Sequence, residues 1–299
     1  MRQFEPHISV IIVNYNAGSV LADCIQSLRS SLETIEIIVV DNASNDDSLD
    51  LINDTTCVQI IRNTTNRGFA AACNQGVTAS HADSLLFLNP DCLVAPSALT
   101  ELNHYLCTTP QVGMVGGWLV NLDGSEQAGG RRSVPTPWRS FVRAFGLTNL
   151  ASRWPKLFSD FNLHLQPLPT HPVEVEAISG ACLMIRRALL PEVGLWDEDY
   201  FLHCEDLDWC MRMRMAGWKI LFVPSAKIIH AHGVCSRNRP IFVEWHKHRG
   251  MMRFYKKFFR HQYPWGLMWL VALSVWLRFG IIVAHYGVHH LKRSLGISP

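Results

Sequence analysis

The sequence predicts an α/β protein: a Rossmann-like, mostly parallel sheet with helices on both sides, followed by a basic, apolar helical tail. Three observations carry this. Apolar runs at 8–13, 35–40 and 85–88 are too short for helices and read as strands buried within a sheet, and 58–61 reads as a further strand. Helically spaced stretches separate them at about the distance of βαβ units, so right-handed crossovers carry all four strand exits to one edge. Charge divides the chain. Residues 1–235 hold 16 Lys+Arg against 24 Asp+Glu, a balance of −8, and residues 236–299 hold 11 against 1, a balance of +10. The expected organisation is a catalytic domain over 1–235 and a tail over 236–299 whose partner is anionic.

The first strand ends at Asn14-Tyr15-Asn16-Ala17-Gly18, and a helix follows over about 19–32 with Leu21, Cys24, Ile25 and Leu28 on one face. The second ends in a polar burst, 41–47, whose N-cap residues predict a helix starting near 44–47 and running through 49–52. The third leads through 63–69 into a helix at 70–77. The fourth ends at Asn89-Pro90-Asp91, where Pro90 fixes its own φ and holds Asn89 extended. Tyr15, Asp41, Arg67 and Asp91 thereby converge on the carboxyl edge, where open α/β sheets bind ligands.

Residues 112–120 read as a further strand. The stretch 125–172, with six prolines and the paired Arg131 and Arg132, shows no regular order; it reads either as a loop shaping an acceptor site or as a surface insertion. Strand character returns at 173–186, where Ser179-Gly180-Ala181 permits close approach of a ligand. A helix follows with Leu207, Cys210 and Met211 at helical spacing and Gly217 as its stop. Its first turn holds Glu205, Asp206 and Asp208. The helix dipole accounts for one or two of these, not for six acids between 197 and 208. A short strand at 218–223 and the histidines His230 and His232 close the body.

Composition limits the alternatives. At 299 residues and 48% hydrophobic, the chain has material for a large core and is not disordered. Its nine cysteines are odd in number, contain no C-x-x-C pair and sit mostly in apolar segments, so they read as reduced, buried thiols of a cytosolic protein. No apolar h-region precedes the first strand, so no signal peptide is expected. No G-x-G-x-x-G follows that strand, which argues against a dehydrogenase.

The polar groups on the edge suit group transfer from a nucleoside diphosphate donor. Asp91 can hold a hard divalent cation, Mg2+ or Mn2+, with open positions for diphosphate oxygens. His230 or His232 is the candidate to complete that shell. Arg67 faces the leaving diphosphate, and Asp206 removes a proton from the incoming hydroxyl. One in-line displacement needs no covalent nucleophile and inverts the anomeric centre. Adjacent helical residues point about 100° apart, so only one of Glu205 and Asp206 faces the donor.

Five stretches (9–16, 39–44, 66–70, 87–91 and 201–206) resemble, in order, the motifs of family 2 glycosyltransferases with the GT-A fold, and most of all the bacterial rhamnosyltransferase branch. The likeness covers about 8–260. It implies a donor site built from Tyr15, Asn16, Asp41, Asn42, Arg67, Gly68, Asn89 and Asp91: Tyr15 stacks on the base, Asp41 binds its N3 proton, Arg67 lies near the phosphates, and Asp91 ends a DxD motif that here starts with the carboxamide of Asn89. It implies His230 as a metal ligand, Asp206 as the base, and Gly180, Trp196 and Glu205 on the acceptor side. The implied reaction moves a sugar from dTDP-rhamnose to a lipid-linked saccharide at the cytosolic face of the inner membrane, with no nucleic acid involved. A UDP-hexose or UDP-galactofuranose donor, and a membrane-bound nucleotide-sugar scaffold without turnover, stay open.

In the tail, Arg249, Arg253, Lys256, Lys257 and Arg260 share one helical face, with Met251, Tyr255, Phe258 and Phe259 opposite. This predicts a helix on an anionic leaflet with its aromatics inserted. From 262 to 291 the only charge is Arg278, a stretch long enough to span a bilayer. Ser274, Arg278, His285 and His289 form one polar stripe, which favours an in-plane segment or shallow hairpin over a span; a helix capping the body is the alternative.

Overall fold

The computed structural model of the chain describes residues 7–52, 56–144, 146–158, 160–231 and 239–294. Two compact units form. The first comprises Met1–Val134, Phe161–Phe201 and Glu205–Cys235; the second comprises Pro135–Asp160, Leu202–Cys204 and Ser236–Pro299. The expected tail thus groups with two earlier segments.

The first unit begins with β1 (Ile8–Asn14), α1 (Val20–Arg29), β2 (Ile35–Asp41), β3 (Val58–Arg62), α2 (Phe69–Ala79) and β4 (Ser84–Leu88). It continues with β5 (Cys92–Val94), α3 (Ala98–Thr108), β6 (Val112–Val120) and β7 (Arg131–Arg132). The chain then contributes α4 (Pro137–Ala144) and α5 (Pro155–Phe158) to the second unit. It returns as β8 (Val173–Glu174), β9 (Ala177–Ile178), β10 (Cys182–Arg186), α6 (Leu190–Val193), α7 (Glu205–Met215) and β11 (Lys219–His230). The second unit is completed by α8 (Pro240–Phe258) and α9 (Trp265–Ser294).

The main sheet has nine strands in the order β3-β2-β1-β4-β10-β6-β11-β5, with β8 added on β11. β1, β2, β3 and β4 are mutually parallel, and β10 reverses between β4 and β6. β11 is parallel to β6 and antiparallel to β5 and β8. Six of the nine strands therefore run one way, which is the mostly parallel α/β sheet that the sequence predicts. Every residue of β1 is buried, as helices on both faces require. α1 and α3 cover the face of Ile8, Val10 and Ile12. α2 covers the other, where Gly76 lies so near Ile11 that a Cβ would stand 2.4 Å from its Cγ2.

Three expectations are corrected. No helix forms at 44–52; the segment is bends and turns, because its capping side chains are spent elsewhere. Ser44 Oγ accepts from Asn16 N (3.0 Å), Asp46 Oδ2 from Gly18 N (2.8 Å), and Ser48 Oγ donates to Asp46 Oδ1 (2.6 Å), tying the exits of β1 and β2 together. In the tail, α9 runs as one continuous 30-residue helix, so no hairpin forms. Its stretch Trp265–Val288 is long and apolar enough to cross a membrane, and only 6% of it is buried. At the end of α8 and just beyond it, Phe254, Tyr255 and Phe259 are buried, and Tyr255 Oη donates to Ser140 Oγ at 2.6 Å within the second unit, while Phe258 is half-buried. The three buried rings are not available for insertion into a leaflet, although the cationic Lys256 and Lys257 are exposed.

Candidate active site

The strand register assembles the first part of the site. β1 and β2 are paired so that Asn14 lies opposite Asp41 at the strand ends. Asn14 Nδ2 donates to Asp41 Oδ1 (2.8 Å) and to the hydroxyls of Ser44 (3.1 Å) and Ser48 (2.8 Å), which fixes the buried Asp41 carboxylate. Tyr15, next in the chain, is half-buried. Asn16 takes a left-handed φ of 52° and accepts from Asn45 N at 2.8 Å. Asn42 then joins this loop to the next: its Oδ1 accepts from Arg67 N (2.9 Å), and its Nδ2 donates to Asn66 Oδ1 (2.9 Å) and Gly68 O (3.1 Å). The Arg67 side chain is exposed. Gly68, at φ 87°, touches Phe201 so closely that a Cβ would lie 2.8 Å from the Phe201 carbonyl, and Phe69 N donates to that oxygen at 2.8 Å.

The second part lies at the end of β4. β10 runs antiparallel to β4 with Cys182 opposite Leu88, and Asn89 N donates to Ala181 O at 2.9 Å. Asp91, 5% exposed, is carried next to the end of β11, where His230 pairs with Cys92 and Ala231 N donates to Asp91 O at 2.9 Å. His230 Nε2 is 3.1 Å from Asp91 Oδ1 and 3.3 Å from Asn89 Nδ2. Gln127 orients the ring. Its Nε2 donates to Asn121 Oδ1 (3.1 Å) and His230 O (3.3 Å), so its Oε1 is the atom 2.6 Å from His230 Nδ1, and Nδ1 carries the proton. The Nε2 lone pair is thereby aimed at a carboxylate oxygen, an arrangement that calls for a cation or a proton between them.

Among the described residues, Asp91, Cys92 and His230 are the group whose ligand atoms all lie within 4.8 Å of one another. Cys92 is the weakest of the three as a ligand: burial pushes its thiol well up, and its Sγ faces Ala181 O at 3.5 Å. One carboxylate oxygen and one imidazole nitrogen fit a hard or borderline divalent cation such as Mg2+ or Mn2+. His232 lies outside the described residues. The other buried thiols, Cys24, Cys73, Cys182 and Cys210, are likewise raised by burial first, and the eight described cysteines are free.

The third part adjoins the second through Gly180. Asp206 Oδ2 accepts from Gly180 N at 3.1 Å, one residue before the Ala181 carbonyl that holds Asn89. The same oxygen forms an ion pair with Arg132, and Oδ1 accepts from Leu207 N at 2.7 Å. Glu205, by contrast, is buried, its Oε2 meets no hydrogen-bond donor, and its carboxyl is raised, by burial first and by the Asp206 charge second. Trp196, 2% exposed, packs edge-on to Phe87 (5.0 Å) and Phe69 (5.8 Å) and tilted against Trp209 (4.3 Å), and its ring edge stands 3.7 Å from where a Gly180 Cβ would be.

Hydrogen bonds therefore link Asn14 to Asp41, Asn42 to Arg67 and Gly68, Asn89 to His230, and Gly180 to Asp206, while Asp91 Oδ1 stands 3.1 Å from His230 Nε2. Among the side chains in these networks, Asn14, Gln127 and Arg132 received no such role from the sequence.

The family model described as "Glycosyl transferase family 2" matches residues 9–193. An N-acetylglucosaminyl-diphospho-decaprenol L-rhamnosyltransferase of Mycobacterium tuberculosis is 28% identical over 236 residues, covering 75% of each chain. In structure, the chain is similar to a mannosyltransferase from Pyrobaculum calidifontis in complex with GDP-Man and Mn2+ (TM-score 0.57, 14% identity, 99% of this chain and 82% of that one). It is also similar to GalNAc-T7 with UDP, GalNAc and Mn2+ (TM-score 0.57, 20% identity), spanning 76% of this chain and 44% of that one. With a family model matching more than half its length over a sheet of this topology, the chain belongs to glycosyl transferase family 2 and has the GT-A fold.

Proposed function

We propose that the chain is an inverting glycosyltransferase working at the cytosolic face of a membrane, where it moves rhamnose from dTDP-rhamnose to a hydroxyl of a lipid-linked saccharide. The observation that supports this reading is the path from the Asp91–His230 pair through the hydrogen bonds of Asn89 and the Gly180–Ala181 peptide to Asp206, which connects a cation-competent group with a candidate base.

Tyr15 stacks on the pyrimidine, and Asp41, aligned by Asn14, accepts the N3 proton. Asn16 and Asn42 hold the two loops around the nucleoside, with Arg67 and the Gly68 backbone toward the phosphates. Asp91 and His230, with Asn89 alongside, would hold a divalent cation, which would supply positive charge against the leaving diphosphate. Asp206 takes the acceptor's proton as that oxygen bonds to the anomeric carbon; the bond to the diphosphate breaks on the opposite side, and its electron pair leaves with the diphosphate. Gly180 leaves room for the acceptor, Trp196 supports that position from beneath, and Glu205, neutral when buried, keeps a second negative charge away from the base.

The mycobacterial relative supports rhamnose and a lipid-linked acceptor. Asp41 itself does not separate thymine from uracil, since both carry the N3 proton. The test is a donor screen with product detection: dTDP-rhamnose should turn over faster than UDP-glucose. Equal or faster turnover with UDP-glucose rejects the rhamnosyl reading, and binding without turnover across acceptors points to a scaffold.

A further inference from the structure

Residues 135–160 lie in the same compact unit as α9 and take no part in the transfer chemistry proposed above. They contain five aromatic residues (Trp138, Phe141, Phe145, Trp154, Phe158) and four basic ones (Arg139, Arg143, Arg153, Lys156) against one acid, Asp160. The apolar side chains fall into two sets. Trp138 stacks on Phe141 at 5.6 Å, Phe158 lies 6.2 Å from Trp138, and Trp138 Nε1 donates to Leu157 O at 2.7 Å; the three rings of this set are half-buried, and Phe158 also touches Trp154 at 6.2 Å. Leu150, Trp154 and Leu157 form the other, at 39%, 47% and 56% exposure. Leu150 lies in a 3-10 turn over Leu147–Ser152, Leu157 lies in α5, and Trp154 joins the two. The bonds Trp154 N to Leu150 O (3.0 Å) and Phe158 N to Trp154 O (3.1 Å) keep the chain on that path, and the Arg153 guanidinium sits 5.1 Å over the Trp154 ring.

A Trp and two Leu in a row, bordered by cations, is the make-up of a segment that lies in a membrane interface. We propose that residues 147–158 are a second membrane-contacting surface, which meets the same anionic leaflet as α9. This rests on the reading that the tail meets a bilayer. Within the unit, α4 packs on α9, and α9 exposes Trp265 (80%), Trp269 (70%) and Leu273 (63%). Charge selects the occupant. Residues 135–160 carry a balance of +3 and residues 236–299 one of +10, so the unit carries +13 in all, residues 202–204 adding none. Anionic lipid is attracted to such a surface, whereas a second copy would bring +13 against +13.

The test uses the full chain with vesicles of phosphatidylcholine alone or with roughly 30% phosphatidylglycerol. Hydrogen exchange should slow about ten-fold or more over both 147–158 and α9 with the anionic vesicles. The combined variant Leu150→Ser, Trp154→Ser, Leu157→Ser removes partly exposed side chains, Trp154 with its Phe158 contact among them, and it should lower vesicle partitioning about ten-fold while the thermal midpoint falls only slightly. Exchange at 147–158 that is unchanged on vesicles protecting α9 overturns this surface alone. Protection of 147–158 that rises with protein concentration without vesicles identifies a second copy as the occupant and also overturns it. Protection of neither segment removes the membrane reading of the tail as well, while donor turnover with a water-soluble acceptor tests sugar transfer separately.

Discussion

Two adjacent carboxyl groups open α7 and meet opposite surroundings. Asp206 is met by Gly180 N–H and Arg132, while Glu205 is buried with an unmet oxygen. If Asp206 is the base, Asp206→Asn keeps donor affinity while transfer falls by roughly 10² to 10⁴; near wild-type transfer in that variant with a dead Glu205→Gln would reverse the roles. Glu205 carries its own pH signature. Its carboxyl, ordinarily near 4.5, is raised to about 8 in the fold, so between those values the folded state keeps a proton that the unfolded state has lost. The stability it contributes is complete below about 4.5 and is lost as pH rises through about 8. The thermal midpoint of wild type relative to Glu205→Gln should therefore decline from pH 5 to 8, and a flat difference rejects the burial argument. Asp91 and Asp206 were legible in the sequence because each sits in a local pattern, a strand exit and a helix start. Asn14, Gln127 and Arg132 were not: their partners lie 27, 103 and 74 positions away, and no local spacing encodes such contacts.

Elements were legible where apolar periodicity decided them and illegible where polar side chains had two uses. The buried strands β1, β2 and β4 and helix α1 form as read, since burial on both faces leaves a continuous apolar run no other arrangement, whereas β3 forms as an edge strand with no residue fully buried. Residues 44–52 carry helix-start chemistry, yet Ser44 and Asp46 bond to the β1 exit loop instead, so capping residues became loop ties. In α9 the polar stripe suggested a hairpin, but no proline interrupts 265–294 and the helix continues. The contact of α2 with β1 gives a stability prediction. Gly76→Ala puts a methyl 2.4 Å from Ile11 Cγ2, inside a buried strand that cannot yield, so urea unfolding should show a loss of about 1–3 kcal/mol. An unchanged midpoint would mean that α2 moves freely on the sheet.

For the whole molecule, the sequence correctly indicated a mostly parallel sheet; it drew one boundary at 235, whereas the second unit also holds 135–160 and 202–204. It did not reveal that 135–160 joins that unit, because its contacts there, such as Ser140 with Tyr255, span 115 positions. The proposed cation ties the functional reading together. Asp91→Asn should weaken Mn2+ binding and transfer by orders of magnitude, and His230→Ala should do so more mildly, both read by calorimetric titration beside turnover. A titration unaltered in His230→Ala leaves that ring a structural residue. The most direct measurement is the product itself: wild-type protein with dTDP-rhamnose and an acceptor, with and without chelator, and the linkage read by nuclear magnetic resonance. The account predicts an anomeric configuration opposite to the donor's, turnover lost in chelator and restored by Mg2+ or Mn2+; a retained configuration, or undiminished turnover in chelator, contradicts it.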